Sequence, residues 1–206
     1  MYKVAHRIND LESLKKIPKN YGIELDIRYH KNELILHHEP FNHQQIPYPE
    51  SFEKLLKEYK HQGPLILNIK TEGIEKECIS LMAKYKIDNW FFLDMSMPYF
   101  AIYSEIAINN RLKNFGPANL AVRFSEREPI EYALAFKDKA KWVWVDCFTK
   151  MPLDNNSYKK LKDAGFQICL VSPELQKHST DRIADFKKQL IGLEIDAVCT
   201  KRPDLW

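Results

Sequence analysis

Apolar residues recur along the chain in short, near-continuous runs, and the stretches between them carry helical spacing. The runs are Tyr2–His6, Gly22–Asp26, Leu65–Lys70, Trp90–Ser96, Asn119–Ser125, Trp142–Cys147, Phe166–Ser172 and Ile195–Thr200. Runs of this kind are what strands covered on both faces look like. A ninth run, Glu33–His38, follows Lys31-Asn32, a dipeptide suited to a hairpin tip. Helices are expected over Leu11–Ile17, stopped near Pro18, and after Pro49-Glu50-Ser51, with Phe52, Leu55, Leu56 and Tyr59 on one face. Further helices are expected over residues 74–85, after Pro98, over Glu128–Phe136, over Ser157–Ala164 closed by Gly165, and over Asp181–Leu190 closed by Gly192.

Setting Glu33–His38 aside, eight strands alternate with helices. Such alternation argues an α/β fold with a parallel sheet, and eight units argue a closed (β/α)8 TIM barrel over an open doubly wound sheet. At 206 residues the barrel is small against the usual ~250, which fits a thin first helix and no room for a full last one. One domain, residues 1–206, is expected, since 45% hydrophobic content is enough for one sizeable core. Neither GxGxxG nor GxxxxGK[ST] occurs, so a nucleotide-binding Rossmann or P-loop site has no support.

The second run changes the picture from scaffold to chemistry. Glu24 and Asp26 alternate with Ile23, Leu25 and Ile27, so on a strand both carboxylates face one way and the aliphatic residues the other. Two carboxylates on one buried face are costly without a cation, and a hard divalent metal with oxygen ligands offsets that cost. In a barrel the chemistry lies at the C-terminal ends of the strands. Those ends carry His6 and Arg7, Glu24 and Asp26, Asn68 and Lys70, Asp94 and Ser96, Arg123 and Ser125, Asp146, Ser172 and Glu174, and Thr200 and Lys201. Carboxylates for a metal, histidines for proton transfer and Arg or Lys for an anion together suit phosphate chemistry. The cations among these residues that could hold an anion include Arg7, Lys70 and Arg123, with Asp146 as an alternative partner for Arg123.

The ordered motifs resemble those of the glycerophosphodiester phosphodiesterase family, within the wider group of phosphatidylinositol-phospholipase-C-like barrels. They are His6-Arg7-Ile8 for the family's His-Arg-Gly, Glu24-Leu25-Asp26 for Glu-x-Asp, His38-Glu39 for His-Asp, and Asn68-Ile69-Lys70 for Glu-x-Lys. Ser96 closes the fourth strand, and Thr200-Lys201-Arg202-Pro203-Asp204 stands for a Thr-Asp-x-Pro-like ending. The resemblance spans Ala5 to Leu205. It implies a phosphoric diester hydrolase of lipid metabolism acting on a small phosphodiester. His6 and His38 are the implied general base and acid. Glu24, Asp26 and Asn68 are the implied ligands of a divalent cation, Mg2+ or Ca2+.

Three departures bear on that site. Ile8 replaces a Gly in the turn behind His6. Asn68 replaces an acidic metal ligand, keeping a carbonyl oxygen but losing a charge, which leaves Asp94 or Asp146 as possible substitutes. Lys201 replaces an acidic residue. The connection between the second and third strands is short, roughly residues 39 to 63, so that Pro40-Phe41-Asn42-His43 and Pro47-Tyr48-Pro49 are expected to line the leaving-group pocket. An alternative function follows from Asn68: a barrel that binds a phosphorylated ligand, such as a sugar or nucleotide phosphate, without turnover. A phosphotransferase or lyase using a substrate hydroxyl is a third.

The remaining features exclude more than they assign. Lys plus Arg is 31 and Asp plus Glu is 28, and the net +3 gives no argument for nucleic acid. No apolar stretch reaches the roughly 20 residues of a membrane span, and the N-terminus MYKVAHRIND has no signal-peptide core. A cytoplasmic setting is expected. Cys78, Cys147, Cys169 and Cys199 lack CxxC spacing and are expected to be small buried hydrophobes. Trp142 and Trp144 are expected in the core or its shell. His38 is favoured over His37 for the site, and His30, His43, His61 and His178 are expected on loops or the surface.

Overall fold

The computed structural model describes residues 1–41 and 47–206. Eight parallel strands form one sheet: β1 (Tyr2–Ala5), β2 (Gly22–His30), β4 (Leu65–Ile69), β5 (Trp90–Leu93), β6 (Ala121–Phe124), β7 (Trp142–Val145), β8 (Gln167–Val171) and β9 (Ala197–Thr200). A ninth strand, β3 (Glu33–Leu36), pairs antiparallel with the upper half of β2. The spatial order is β5-β4-β2-β1-β9-β8-β7-β6. The two ends of that order meet through the parallel bridge Phe92–Leu120 and a hydrogen bond from Asn119 Nδ2 to the Trp90 carbonyl at 3.0 Å. The result is the small, nearly closed (β/α)8 barrel expected from the sequence.

Helices α1 (Leu11–Lys16), α2 (Phe52–Glu58), α3 (Glu75–Tyr85), α4 (Met97–Ile108), α5 (Ile130–Leu134), α6 (Asn155–Asp163) and α7 (Arg182–Gln189) fall in the connections. The last strand is followed only by a 3-10 turn, Pro203–Leu205. Asp10 caps α1 by accepting from Ser13 N–H at 2.7 Å, and Asp154 caps α6 in the same way from Ser157. No helix among the described residues is long and apolar enough to cross a membrane.

Strand alternation sorts the core into two bodies. Ile23, Leu25 and Ile27 face outward and pack with Leu65, Leu67, Phe92, Val143, Val145, Ile168 and the helices. Val4, Ile66, Phe91, Ala121, Trp142, Cys169 and Ala197 fill the barrel interior. Both tryptophans are interior: Trp142 stacks on Phe91 at 4.8 Å, and Trp144 lies above it. All four cysteines are free and buried.

Several strands are shorter than their apolar runs, and two boundaries that differ from the sequence reading have a clear cause. β2 runs four residues past Asp26 because β3 supplies a hydrogen-bonding partner, and the tip Lys31-Asn32 takes left-handed φ angles of 47° and 63°. β5 ends at Leu93 because Asp94 turns to φ 57°. Of the histidines expected at the surface, His30, His61 and His178 are half-buried; His178 bonds the Phe148 carbonyl through Nε2. His43 lies outside the described residues.

At the foot of β2 two backbone segments touch without room for side chains. A Cβ on Gly63 would lie 2.2 Å from Gly22 N and 2.6 Å from Tyr21 C. Backbone on both sides leaves nothing flexible to move. Gly63→Ala is expected to lower stability by about 1–3 kcal/mol or more in urea unfolding. Gly116→Ala, where a Cβ meets nothing within 4 Å, is expected to stay within about 0.5 kcal/mol.

Candidate active site

The upper layer of the barrel interior is polar, and its centre is β2. Glu24 and Asp26 point inward and are each 1% exposed. Glu24 Oε2 accepts the Arg7 backbone N–H at 2.7 Å, and Oε1 accepts from Asn68 Nδ2 at 3.0 Å. Asp26 Oδ2 accepts from Asn9 Nδ2 at 2.9 Å, while the Asp26 N–H donates to Asn9 Oδ1 at 2.9 Å. Arg7 Nε and Lys70 Nζ stand 3.6 and 3.7 Å from the two Asp26 oxygens. The tight turn behind His6 is made at Arg7, whose φ is 59°, and that turn aims its N–H back at Glu24. Ile8 is not in the left-handed region; it is buried and donates its N–H to the Glu24 carbonyl at 2.8 Å. A glycine is therefore not required at position 8.

Electrostatics follow from burial. The Glu24 carboxyl is pushed up to about 7, first by desolvation and then by the charge of Asp26. His6, whose Nε2 lies 3.7 Å from Glu24 Oε2, is lowered to about 3 by burial, then by the nearby charges of Arg7, Lys201, His38 and Lys70. His6 therefore stays a neutral imidazole near neutrality.

The residues fit a hard cation in part. Asp26 Oδ1 and Asn68 Oδ1 are buried oxygens without a hydrogen-bond partner, and these residues are register partners on β2 and β4. A carboxyl as high as Glu24 is one that a positive charge would return to the ionised form. Among the described residues no three His, Cys, Asp or Glu side chains form a ready-made metal cage. The third oxygen here belongs to an amide.

His38 and Glu39 complete this side. His38 lines the cavity, with Nδ1 2.6 Å from Glu39 Oε1, and that contact holds the Glu39 carboxyl below its usual range. His37 turns the other way, packing edge-on to Phe41 with ring centroids 5.6 Å apart. Arg28 ties the segment down: Nε and Nη2 donate to the His38 carbonyl at 3.2 and 2.8 Å, and Nη1 to the Lys70 carbonyl at 3.0 Å. Sequence reasoning missed both Arg28 and Asn9. Arg28 carried a signal, since it continues the inward parity of Glu24 and Asp26; Asn9 carried none.

Across the mouth, Arg123 is engaged otherwise than expected. Its Nη1 donates to Asp94 Oδ1 at 2.6 Å, Nε to Glu128 Oε1 at 2.7 Å and Nη2 to Asp146 Oδ2 at 2.8 Å. The pairing with Asp146 is present, joined by two more carboxylates, so the guanidinium charge is spent within the protein and is not offered to a phosphate. For the same reason Asp94 and Asp146 are not substitutes for a third acidic metal ligand; Asp146 Oδ1 also accepts from Gln176 at 2.6 Å. Glu174 is bound by Thr200 Oγ1 at 2.6 Å, by Lys201 N–H at 2.9 Å and by Ser172. Ser96 is the N-cap residue of α4, with an unpartnered hydroxyl. Phe41 meets Tyr48 edge-to-face at 5.2 Å and His30 edge-on at 5.0 Å, and neither ring lines the cavity. Asn42 lies outside the described residues.

The cavity at the strand ends holds about 340 Å³ and gathers His6, Arg7, Glu24, His38, Asn68 and Lys70. No protein-family model and no curated protein matches the sequence. Among solved structures, the chain is similar to the crystal structure of glycerophosphodiester phosphodiesterase from Agrobacterium tumefaciens str. C58. The TM-score is 0.71 at 13% identity, covering 100% of this chain and 99% of that one. It is also similar to a glycerophosphoryl diester phosphodiesterase from Parabacteroides distasonis ATCC 8503, with TM-score 0.66 and 12% identity over 99% of this chain and 84% of that one. The barrel architecture is shared with both.

Burial of Glu24 has a measurable consequence in the metal-free protein. Its folded pKa of about 7 lies above the ordinary value of 4.5. The native state therefore holds an extra proton between about pH 4.5 and 7, and stability contributed by that proton is lost as pH rises through this window. Relative to Glu24→Gln, which cannot titrate, wild type is expected to lose urea stability steadily from pH 5 to 7.5. Parallel pH profiles for the two proteins would contradict this.

Proposed function

We propose that the chain is a divergent glycerophosphodiester phosphodiesterase that hydrolyses a small phosphodiester with the help of a divalent cation. The observation that carries this reading is the convergence of His6, Glu24, His38 and Lys70 at one cavity on the C-terminal face of the barrel, with buried Asp26 3.7 Å from the Lys70 ammonium. The fold shared with two phosphodiesterases supports it.

Glu24, Asp26 and Asn68 would hold the cation, Mg2+ or Ca2+. Bound there, it would supply Lewis-acid polarisation of the phosphoryl oxygens. Arg7 and Lys70 neutralise the phosphate and orient it. Neutral His6 takes a proton from the attacking water as the new O–P bond forms. His38, oriented by Glu39, gives a proton to the departing alcohol oxygen as the old P–O bond breaks. The products are one phosphomonoester and one alcohol. Arg28 and Asn9 act as positioning residues, the first on His38 and Lys70 and the second on Asp26.

One observation favours a second reading. The Asn68 amide donates to Glu24, so the site lacks one negative charge and can satisfy its carboxylate without a metal. Such a barrel would bind a phosphorylated ligand without turning it over. Titration of Mg2+, Ca2+ and Mn2+ by calorimetry, with turnover of bis(p-nitrophenyl) phosphate, separates the two. Metal binding that is lost in Asp26→Ala, with turnover that follows the metal, is expected. His6→Ala and His38→Ala are each expected to lower kcat by about 10²–10⁴. Unchanged turnover in both histidine variants would sink the hydrolase reading, and no metal binding at millimolar concentration would favour the ligand-binding one.

A further inference from the structure

The charges around the mouth are unevenly spent. On the β5, β6 and β7 side, Asp94, Glu128 and Asp146 are all held by Arg123. On the β9 and β8 side, Lys201 and Lys177 line the same cavity, both exposed, and neither forms an ion pair with any described residue. The carboxylate between them, Glu174, already accepts three donors from Ser172, Thr200 and the Lys201 backbone. The floor beneath is apolar, made by Leu93, Trp144, Val171 and Leu175. β9 is the strand beside β1, so Lys201, which follows β9, borders His6 and Arg7. The charge of Lys201 is in fact felt at His6.

We propose that Lys201 and Lys177 form an anion subsite that selects phosphodiesters whose non-leaving alcohol carries a further negative group, such as a carboxylate, over those carrying a quaternary ammonium. The inference rests on the phosphodiesterase reading and adds a substrate class to it. A phosphate held by Arg7 and Lys70 directs one substituent toward β9 and β8. There an anionic substituent meets two unpaired cations, while a cationic one meets like charge and a carboxylate whose lone pairs are largely taken. Among the described residues no aromatic cage for a quaternary ammonium faces this side, where Trp144 is the aromatic side chain of the cavity lining.

The test uses three p-nitrophenyl phosphodiesters, of glycolic acid, ethanol and choline, with the metal-loaded protein. They share one leaving group and the same histidines, so any change at His6 cancels in the ratio of kcat/KM values. Wild type is expected to prefer the glycolate ester to the choline ester by at least about tenfold, and Lys201→Glu to abolish or invert the preference, with Lys177→Glu reducing it. A ratio near one in wild type, or a preference untouched by both substitutions, overturns the subsite. If wild type cleaves none of the esters, the hydrolase reading fails, and calorimetric binding of phosphoglycolate against ethyl phosphate decides the subsite. Tighter phosphoglycolate binding that Lys201→Glu removes sustains it, and equal binding of the two overturns it.

Discussion

Two carboxylates buried side by side on one strand are the constraint on which the rest of the site depends. A barrel interior offers Glu24 and Asp26 almost no water, and an isolated buried carboxylate costs several kcal/mol. The surrounding chain answers that cost with directed donors: the Arg7 backbone, the Asn9 and Asn68 amides, and the Arg7 and Lys70 charges. The left-handed turn at Arg7 is part of the same response, since it turns a backbone N–H onto Glu24. What remains unanswered is informative. Two orphaned oxygens, on Asp26 and Asn68, and a carboxyl that resists ionisation mark where positive charge is still short.

The barrel divides its interior by height. Its lower layers are Val4, Ile66, Phe91, Trp142 and the small residues Ala121, Cys169 and Ala197, a packed plug of the kind that makes such barrels cores and not pores. Large and small residues alternate there because eight short strands enclose little volume. The polar layer sits on this plug, with Trp144 and Leu93 at the boundary. Chemistry at the top is thus held by a floor that cannot relax easily, which keeps the histidines and cations in place.

Much of this was legible in the sequence, for a physical reason. Strands buried on both faces must be apolar throughout, so eight such runs declare the barrel, and the alternation around Glu24 and Asp26 declares which way the carboxylates face. Strand alternation allowed only one of His37 and His38 to face the cavity, and the His38-Glu39 motif, not parity, pointed to His38. Pairing across the closed sheet was not legible. Arg123 could be read as a phosphate ligand because its three carboxylates come from Asp94, Glu128 and Asp146, 29, 5 and 23 residues away. Asp146 follows the neighbouring strand β7, a pairing the sequence already offered, but only closure at the β5–β6 seam brings Asp94 to the same guanidinium. Asn9 reaches Asp26 over 17 residues from the loop after the neighbouring strand β1, and the extension of β2 depended on β3 being there to pair with it.

The seam between β5 and β6 ties these observations to the behaviour of the whole molecule. Elsewhere the sheet is laced by regular ladders, but here one bridge, one amide bond from Asn119 and the Arg123–Asp94 ion pair at the rim hold the ends together. The barrel's most thinly bonded joint therefore borders the cavity that holds the candidate site. Ionic strength, which weakens partly exposed ion pairs, acts on the hoop and on the chamber through the same guanidinium. The strand that carries Glu24 and Asp26 lies away from that joint, in regular ladders with β1 and β4.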